Sequence, residues 1–337
     1  MPRQQFIRKT PKEFLERAFS YGKSENTRIA KQIALKRFNT YLKEKHKRDI
    51  DNIPKKDPIE LLDGYVIWLN HNDLSKRSIK NYVSTAKQWL RFNKIKIDSE
   101  EFRDQVRIGR AEFHLKQALD RETLVKILRM IRHSKYSVVS YLLASTGARP
   151  QEIFSLKYGD IDLKKNPAQI KFRAATTKIR HARLCFLTKE CETLLRVWLA
   201  SSPYKEFVFT KDKTRSSYKL YLDYFNYNVD KLDISQIMPN GQRDITIYSF
   251  RQYFRTLASH VIDRDFAEDY IGHTFYLSQY HNLPIEEKIK MFRKLEPQIT
   301  FSENILPREY IPTIQDQKIS ELEKELEEIK KAIRKTS

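Results

Sequence analysis

The sequence predicts a mainly α-helical protein with one small antiparallel β-sheet, divided into a helical first domain and a mixed α+β second domain. Three observations lead there. Apolar residues recur at helical spacing along most of the chain, strict alternation is confined to residues 169–187, and 337 residues exceed one ordinary core and suit two.

In the first third, Arg28–Lys43 places Ile29, Ile33, Leu35, Phe38 and Leu42 near helical spacing, and Pro58–Asn70 does the same with Ile59, Leu61, Leu62, Tyr65 and Ile67. Ser75, a good N-cap, opens a third helix that runs to Phe92 with Ile79, Tyr82, Val83, Ala86, Trp89 and Leu90 on one face. Its other face carries Lys76, Arg77, Lys80 and Lys87, candidates to grip a polyanion, with an ordinary solvated face as the plainer alternative.

No clear pattern persists from Ile108 to Leu119, and Asp120-Arg121-Glu122-Thr123 opens a new helix, so the domains are expected at 1–117 and 118–312. Helices are expected at Glu122–Arg132, Tyr136–Ser145, Pro150–Leu156, Lys189–Ser201, Tyr218–Lys231 and Ser249–Val261. Residues 169–174 and 182–187 alternate around a break at Thr176 to Arg180, which reads as a β-hairpin with a basic tip. In the remaining 313–337, Ile319, Leu322, Leu326, Ile329 and Ile333 form an a/d seam of about two heptads, either a packed terminal helix or a short coiled coil.

Charge narrows the function. Lys and Arg number 64 against 43 Asp and Glu, a net +21, and residues 1–110 alone carry 26 basic to 14 acidic side chains. A polyanionic partner follows, most simply nucleic acid. With 40% hydrophobic residues the chain can build cores, so it is not a disordered basic tail. The longest apolar stretch, around Val138 to Ala144, is far short of a bilayer span, and residues 1–5 lack the apolar segment of a secretion signal. Two cysteines, Cys185 and Cys191, make neither a disulfide scaffold nor a cysteine zinc site, so a cytoplasmic, DNA-associated protein is expected. There is no His-x-x-x-His, no Cys-x-x-Cys and no tight carboxylate cluster, and seven glycines form no phosphate loop, which disfavours a metal nuclease or an ATPase.

Three segments can carry chemistry. Thr146-Gly147-Ala148-Arg149-Pro150-Gln151-Glu152 follows an apolar helix, turns at Gly147 and restarts at Pro150, a residue favoured at the first helical position. Arg149 is thereby set on a tight turn where a guanidinium fork and helix-end amides suit phosphate oxygens, though a surface arginine after a glycine turn is as good a reading of this segment alone. Tyr248-Ser249-Phe250-Arg251 places a second arginine on an amphipathic helix, which by itself reads as packing. Asp269 to His273 ends a helix at Gly272 with a histidine just beyond, and Tyr276 and Tyr280 follow.

Taken in order, an Arg in Thr-Gly-x-Arg-x-x-Glu, a basic hairpin, an x-x-x-Arg helix, Gly-His and a following Tyr resemble the tyrosine recombinases, the phage and archaeal integrase superfamily. The likeness covers about residues 10–300 and is strongest in 146–160 and 247–282. Gly272-His273 with Leu277 to Tyr280, and Lys294 to Pro297, resemble archaeal integrases most. The resemblance implies a helical core-binding domain followed by a catalytic domain. It makes Arg149 and Arg251 the arginine pair, Lys178 the hairpin lysine, His273 the second-box histidine, Tyr280 the nucleophile and Glu152 a supporting partner of the first arginine. The chain departs from the family at Tyr248, where His-x-x-Arg is usual, and in the spacing of Tyr280, 7 residues after His273, with Tyr276 at 3 as a rival.

What the resemblance implies for chemistry is cleavage and rejoining of double-stranded DNA through a 3′-phosphotyrosyl bond, with no metal, ATP, cofactor or small-molecule substrate. Lys178 would protonate the departing 5′ oxygen and His273 would donate to a phosphate oxygen. Exchange between two duplexes implies a homotetramer on DNA. A type IB topoisomerase sharing the same residues, and a non-catalytic DNA-binding protein using the arginines as clamps, are the alternatives.

Overall fold

The computed structural model describes residues 9–20, 25–53, 57–72, 74–110, 118–177, 181–211, 215–273 and 283–301. It divides into two compact units, Met1–His114 and Leu115–Ser337. Lys178, Tyr276, Tyr280 and the seam of residues 319–333 lie outside the described residues.

The first unit contains α1 (Pro11–Ser20), α2 (Glu25–His46), α3 (Pro58–Asn70), α4 (Lys76–Phe92) and α5 (Ser99–Gln105). Helix α4 begins where the sequence places it, because the Ser75 hydroxyl accepts from the Ser78 amide at 3.2 Å. Ile79, Val83, Ala86, Trp89 and Leu90 bury fully against α2 and α3, with Ile79, Val83 and Leu90 each contributing roughly 1.5–3 kcal/mol through apolar burial. Trp89 meets Phe14 of α1 edge-on at 5.6 Å. Helices α1 and α5 are additions to the expected set; α5 starts on an Asp98 cap and is seven residues long, too short to show a periodicity.

The second unit contains α6 (Arg121–Met130), α7 (Ser134–Thr146), α8 (Pro150–Phe154), β1 (Ile161–Asp162), β2 (Gln169–Phe172), β3 (Arg183–Phe186), α9 (Lys189–Ser201), α10 (Arg215–Lys231), α11 (Tyr248–Val261), α12 (Arg264–Ile271) and α13 (Ile285–Leu295). Asp120 caps α6 through the Thr123 amide at 2.7 Å, and the helix stops at Met130, two residues short of the expected end. Helix α8 likewise ends at Phe154 rather than Leu156. Helix α7 is the central rod, buried from Val138 to Thr146 between α9 and α11. The hydroxyls of Ser140, Ser145 and Thr146 tolerate that burial because each donates to the carbonyl four residues back, at 2.8, 2.8 and 2.6 Å.

Strands β1, β2 and β3 form one antiparallel sheet in that order, with Ile170 opposite Cys185 and Phe172 opposite Arg183. The hairpin is the expected one; β1, two residues long, is not, since so short a strand has no alternation to read. Alternation turns Ile170, Phe172, Arg183 and Cys185 to the buried face and leaves Lys171 exposed. At the base of the hairpin tip the Thr177 hydroxyl donates to the His181 carbonyl at 2.9 Å. Among the described residues no helix is long and apolar enough to cross a membrane.

Candidate active site

The site begins at the end of α7. Gly147 caps that helix in the left-handed region, φ 60°, and a Cβ there would lie 2.7 Å from Phe254 and 2.8 Å from Ile271. Only glycine makes this turn and lets α11 and α12 close on it. The Gly147 carbonyl accepts from Arg251 Nη1 at 2.6 Å, so the first turn of α11 is tied to the α7–α8 loop. Arg251 is 8% exposed, and its Nη2 is buried with no hydrogen-bond partner. Burial, then the like charge of Arg149, push its pKa down to about 10. An acceptor carrying negative charge is what this group lacks.

Arg149 stands immediately before α8. Its amide donates to Glu152 Oε2 at 2.9 Å and its Nη1 to Glu152 Oε1 at 3.1 Å. The five residues of α8 make a feeble helix end, so the guanidinium groups offer an anion more than its aligned amides do. Glu152 is 2% exposed and also accepts from Arg183 Nη2 at 2.6 Å. Burial pushes the Glu152 carboxyl up, but the bond and charge of Arg183 and the Arg149 amide outweigh it and hold the pKa below 4.5.

Arg183 was not among the residues expected at the site. It packs over the Phe172 ring at 4.3 Å, and its Nε and Nη1 are buried without hydrogen-bond partners. Gly272 makes room for it: a Cβ there would sit 3.1 Å from the Arg183 side chain. The signal in the sequence was an arginine on the inward register of an otherwise apolar strand.

Gly272 ends α12 with φ 73°, and the turn carries the chain back so that the His273 amide donates to the Glu268 carbonyl at 2.8 Å. The His273 ring follows, its Nδ1 at 2.5 Å from Glu268 Oε2. Glu268 is 1% exposed, and its other oxygen accepts from Arg255 Nε at 2.5 Å. Burial is the main cause that lowers the His273 pKa below 6.5; Glu268 opposes it, and Arg251 and Arg149 add to it. Glu268 and Arg255 were also missed, although a glutamate one turn before Gly272 was readable.

Of the expected residues, the structure brings Arg149, Glu152, Arg251 and His273 together. Tyr248 starts α11 and is 48% exposed. In the first unit Lys76, Arg77 and Lys80 are exposed on α4, with Lys76 Nζ donating to Asn70 at 2.6 Å. Lys87 corrects the sequence reading: instead of standing free on that face it is half-buried, its Nζ 3.5 Å from the centre of the Phe102 ring, where burial lowers its pKa. Both cysteines are buried and free, and burial pushes their thiols up to about 11 at Cys185 and about 12 at Cys191.

The named side chains of the site add four guanidinium charges, Arg149, Arg183, Arg251 and Arg255, to two carboxylates, Glu152 and Glu268, for a net charge of about +2. A phosphodiester carries one negative charge and gains about one more as a nucleophile adds, so the surplus matches the transition state better than the ground state.

Residues 117–276 match the model of the phage integrase family. A probable integrase/recombinase protein of Methanocaldococcus jannaschii is 26% identical over 263 residues, 71% of this chain and 78% of that one. The tyrosine recombinase XerA of Saccharolobus solfataricus is 30% identical over 93 residues, 28% of this chain and 31% of that one. Among solved structures, a lambda integrase tetramer bound to a Holliday junction aligns with a TM-score of 0.61 at 15% identity, covering 79% of this chain and 76% of that one. The Tn1549 transposon integrase in complex with transposon right end DNA aligns at 0.58 and 15% identity, covering 85% and 99%. Those structures share the fold. With the family match over the unit that holds the arginine site, and with archaeal relatives, the chain carries a phage integrase domain over residues 117–276, the domain of the tyrosine recombinases, enzymes that cleave and rejoin DNA strands.

Proposed function

We propose that the protein is a site-specific recombinase that cuts DNA by attack of Tyr280 on a phosphodiester, holding the 3′ end as a phosphotyrosine until another 5′ hydroxyl displaces it. The observation that supports this most is the arginine pair around Gly147, in which the buried Arg251 keeps an N–H without an acceptor. Fixed guanidinium groups stabilise the phosphorane-like transition state as an oxyanion hole does, so neither metal nor ATP is required. The phosphotyrosyl bond conserves the energy of the phosphodiester, which makes rejoining the reverse of cutting. Lys178 is placed by sequence at the hairpin tip as the general acid for the 5′ oxygen. Residues 1–117 serve as the core-binding domain and 118–312 as the catalytic domain. Lys76, Arg77 and Lys80 hold the DNA backbone.

The test is a covalent capture. Incubating the protein with a nicked duplex library of randomised sequence in EDTA, denaturing, and recovering protein-bound DNA should yield 3′ ends of one preferred sequence. Tyr280→Phe should lose the adduct and keep DNA binding, because affinity comes mostly from phosphate contacts. Absence of any adduct, or its persistence in Tyr280→Phe, would refute the reading. Exchange between two duplexes consumes four tyrosines, so four protomers should assemble on paired sites; sedimentation of the protein with the recovered DNA measures that number.

A further inference from the structure

We propose that His273 is the proton acceptor of the cleavage step and that Glu268 is the positioning residue that makes it one. This rests on the function proposed above. The departure at Tyr248 leaves the reaction without the imidazole usual at that place, and a phenol there offers a hydroxyl rather than a basic nitrogen. Among the described side chains of the site, the imidazole is that of His273.

The geometry around His273 meets the need. An imidazole nitrogen facing a carboxylate at 2.5 Å carries the hydrogen, so Nδ1 is the donor to Glu268. In the neutral ring Nε2 then has its lone pair free and can only accept. Which form prevails depends on every charge that faces the ring. Glu268 favours the imidazolium, but half of its charge is engaged by Arg255, and Arg251 and Arg149 act against a further cation, as does burial. The balance lowers the ring's pKa, and with the hydrogen held on Nδ1 by Glu268 the neutral ring presents Nε2 as an acceptor. The side chain keeps 38% of its surface open, enough to meet a hydroxyl brought to it. Glu268 itself, 1% exposed, touches no substrate and acts through the ring.

In the step this implies, the phenol O–P bond forms as the P–O5′ bond breaks. The phenol proton passes to His273 Nε2, and the departing 5′ oxygen takes a proton from the general acid, for which Lys178 is the candidate. Rejoining returns both protons. The imidazolium formed in mid-reaction is stabilised by Glu268, whose charge is therefore most useful in the transition state.

Two measurements test this on the full chain. In ¹⁵N-histidine-labelled protein, with His273→Gln used to assign the ring, the nitrogen shifts should show Nδ1 protonated and Nε2 bare at pH 7. A cation, or hydrogen on Nε2, at that pH would overturn the proposal, and no variant of Glu268 is needed to see it. The rate of adduct formation on the DNA recovered above should rise with pH and level off above the ring's pKa. Glu268→Gln should lower the plateau at least tenfold and move the rise to lower pH, since the carboxylate charge that supports the imidazolium is gone. A rate that falls as the ring deprotonates would make His273 a donor and end the proposal while leaving the tyrosine mechanism standing. Failure of Tyr280→Phe to lose the adduct ends that mechanism instead, whatever the ring nitrogens show.

Discussion

On α4 of the first unit, Lys76, Arg77 and Lys80 stand in solvent; in the second unit Arg183 and Arg251 are 7% and 8% exposed and Glu152 and Glu268 are 2% and 1%. Both regions are basic, yet only one has its charges taken out of water and held at fixed distances. A solvated lysine exchanges a counterion for a phosphate and supplies affinity. A desolvated arginine with an unused N–H has already lost its water, so an incoming anion meets a group that needs no reorganisation, which is the condition for lowering a barrier. What separates the proposed grip on α4 from the proposed catalytic site is burial and mutual positioning, not the amount of charge.

The largest expected effect lies in the buried region. Glu152→Ala leaves Arg183 buried without its carboxylate and should cost about 3–5 kcal/mol of stability, read as a lowered melting temperature. An unchanged melting point would mean that the buried charges are not held by one another, and the contrast with α4 would collapse. The same pair sets a pH dependence. Because the Glu152 pKa is lowered in the fold, its stabilisation is complete above the ordinary value of 4.5 and is lost as pH falls through the folded value. Wild type and Glu152→Gln should therefore differ at neutral pH and converge in acid; a difference that grows as pH falls would contradict the assigned sign.

Next in size, Arg149→Ala should slow adduct formation about a hundredfold, the scale of losing one fixed donor to a transition-state oxygen, while DNA affinity drops only by one phosphate contact. Equal losses in rate and affinity would make Arg149 a clamp of the kind proposed for the α4 side chains. Smallest is the joint change of Lys76, Arg77 and Lys80 to Gln. It should reduce the slope of log affinity against log salt by up to about three and leave folding stability within about 0.5 kcal/mol. An unchanged slope would return that face to solvent.

What the sequence by itself determined is local. Helix α3 spans Pro58–Asn70 and α9 spans Lys189–Ser201, as their periodicity predicts, and Ser75, Gly147 and Gly272 cap where their side chains or lack of one require. Caps, turns and amphipathic faces depend on residues within one or two turns, so a single sequence displays them. Arg149, Glu152, Arg251 and His273 could be singled out because each belongs to such a segment and their order resembles a known family. The tertiary structure alone decided who meets whom. Arg183 reaches Glu152 across 31 residues, Arg255 reaches Glu268 across 13, and Arg251 reaches the Gly147 carbonyl across 104. It also drew Lys87 away from the basic face and onto Phe102. No periodicity encodes such pairs, because they arise when separately formed elements pack and the charges trapped between them must find partners or remain, like the Arg251 Nη2, without one.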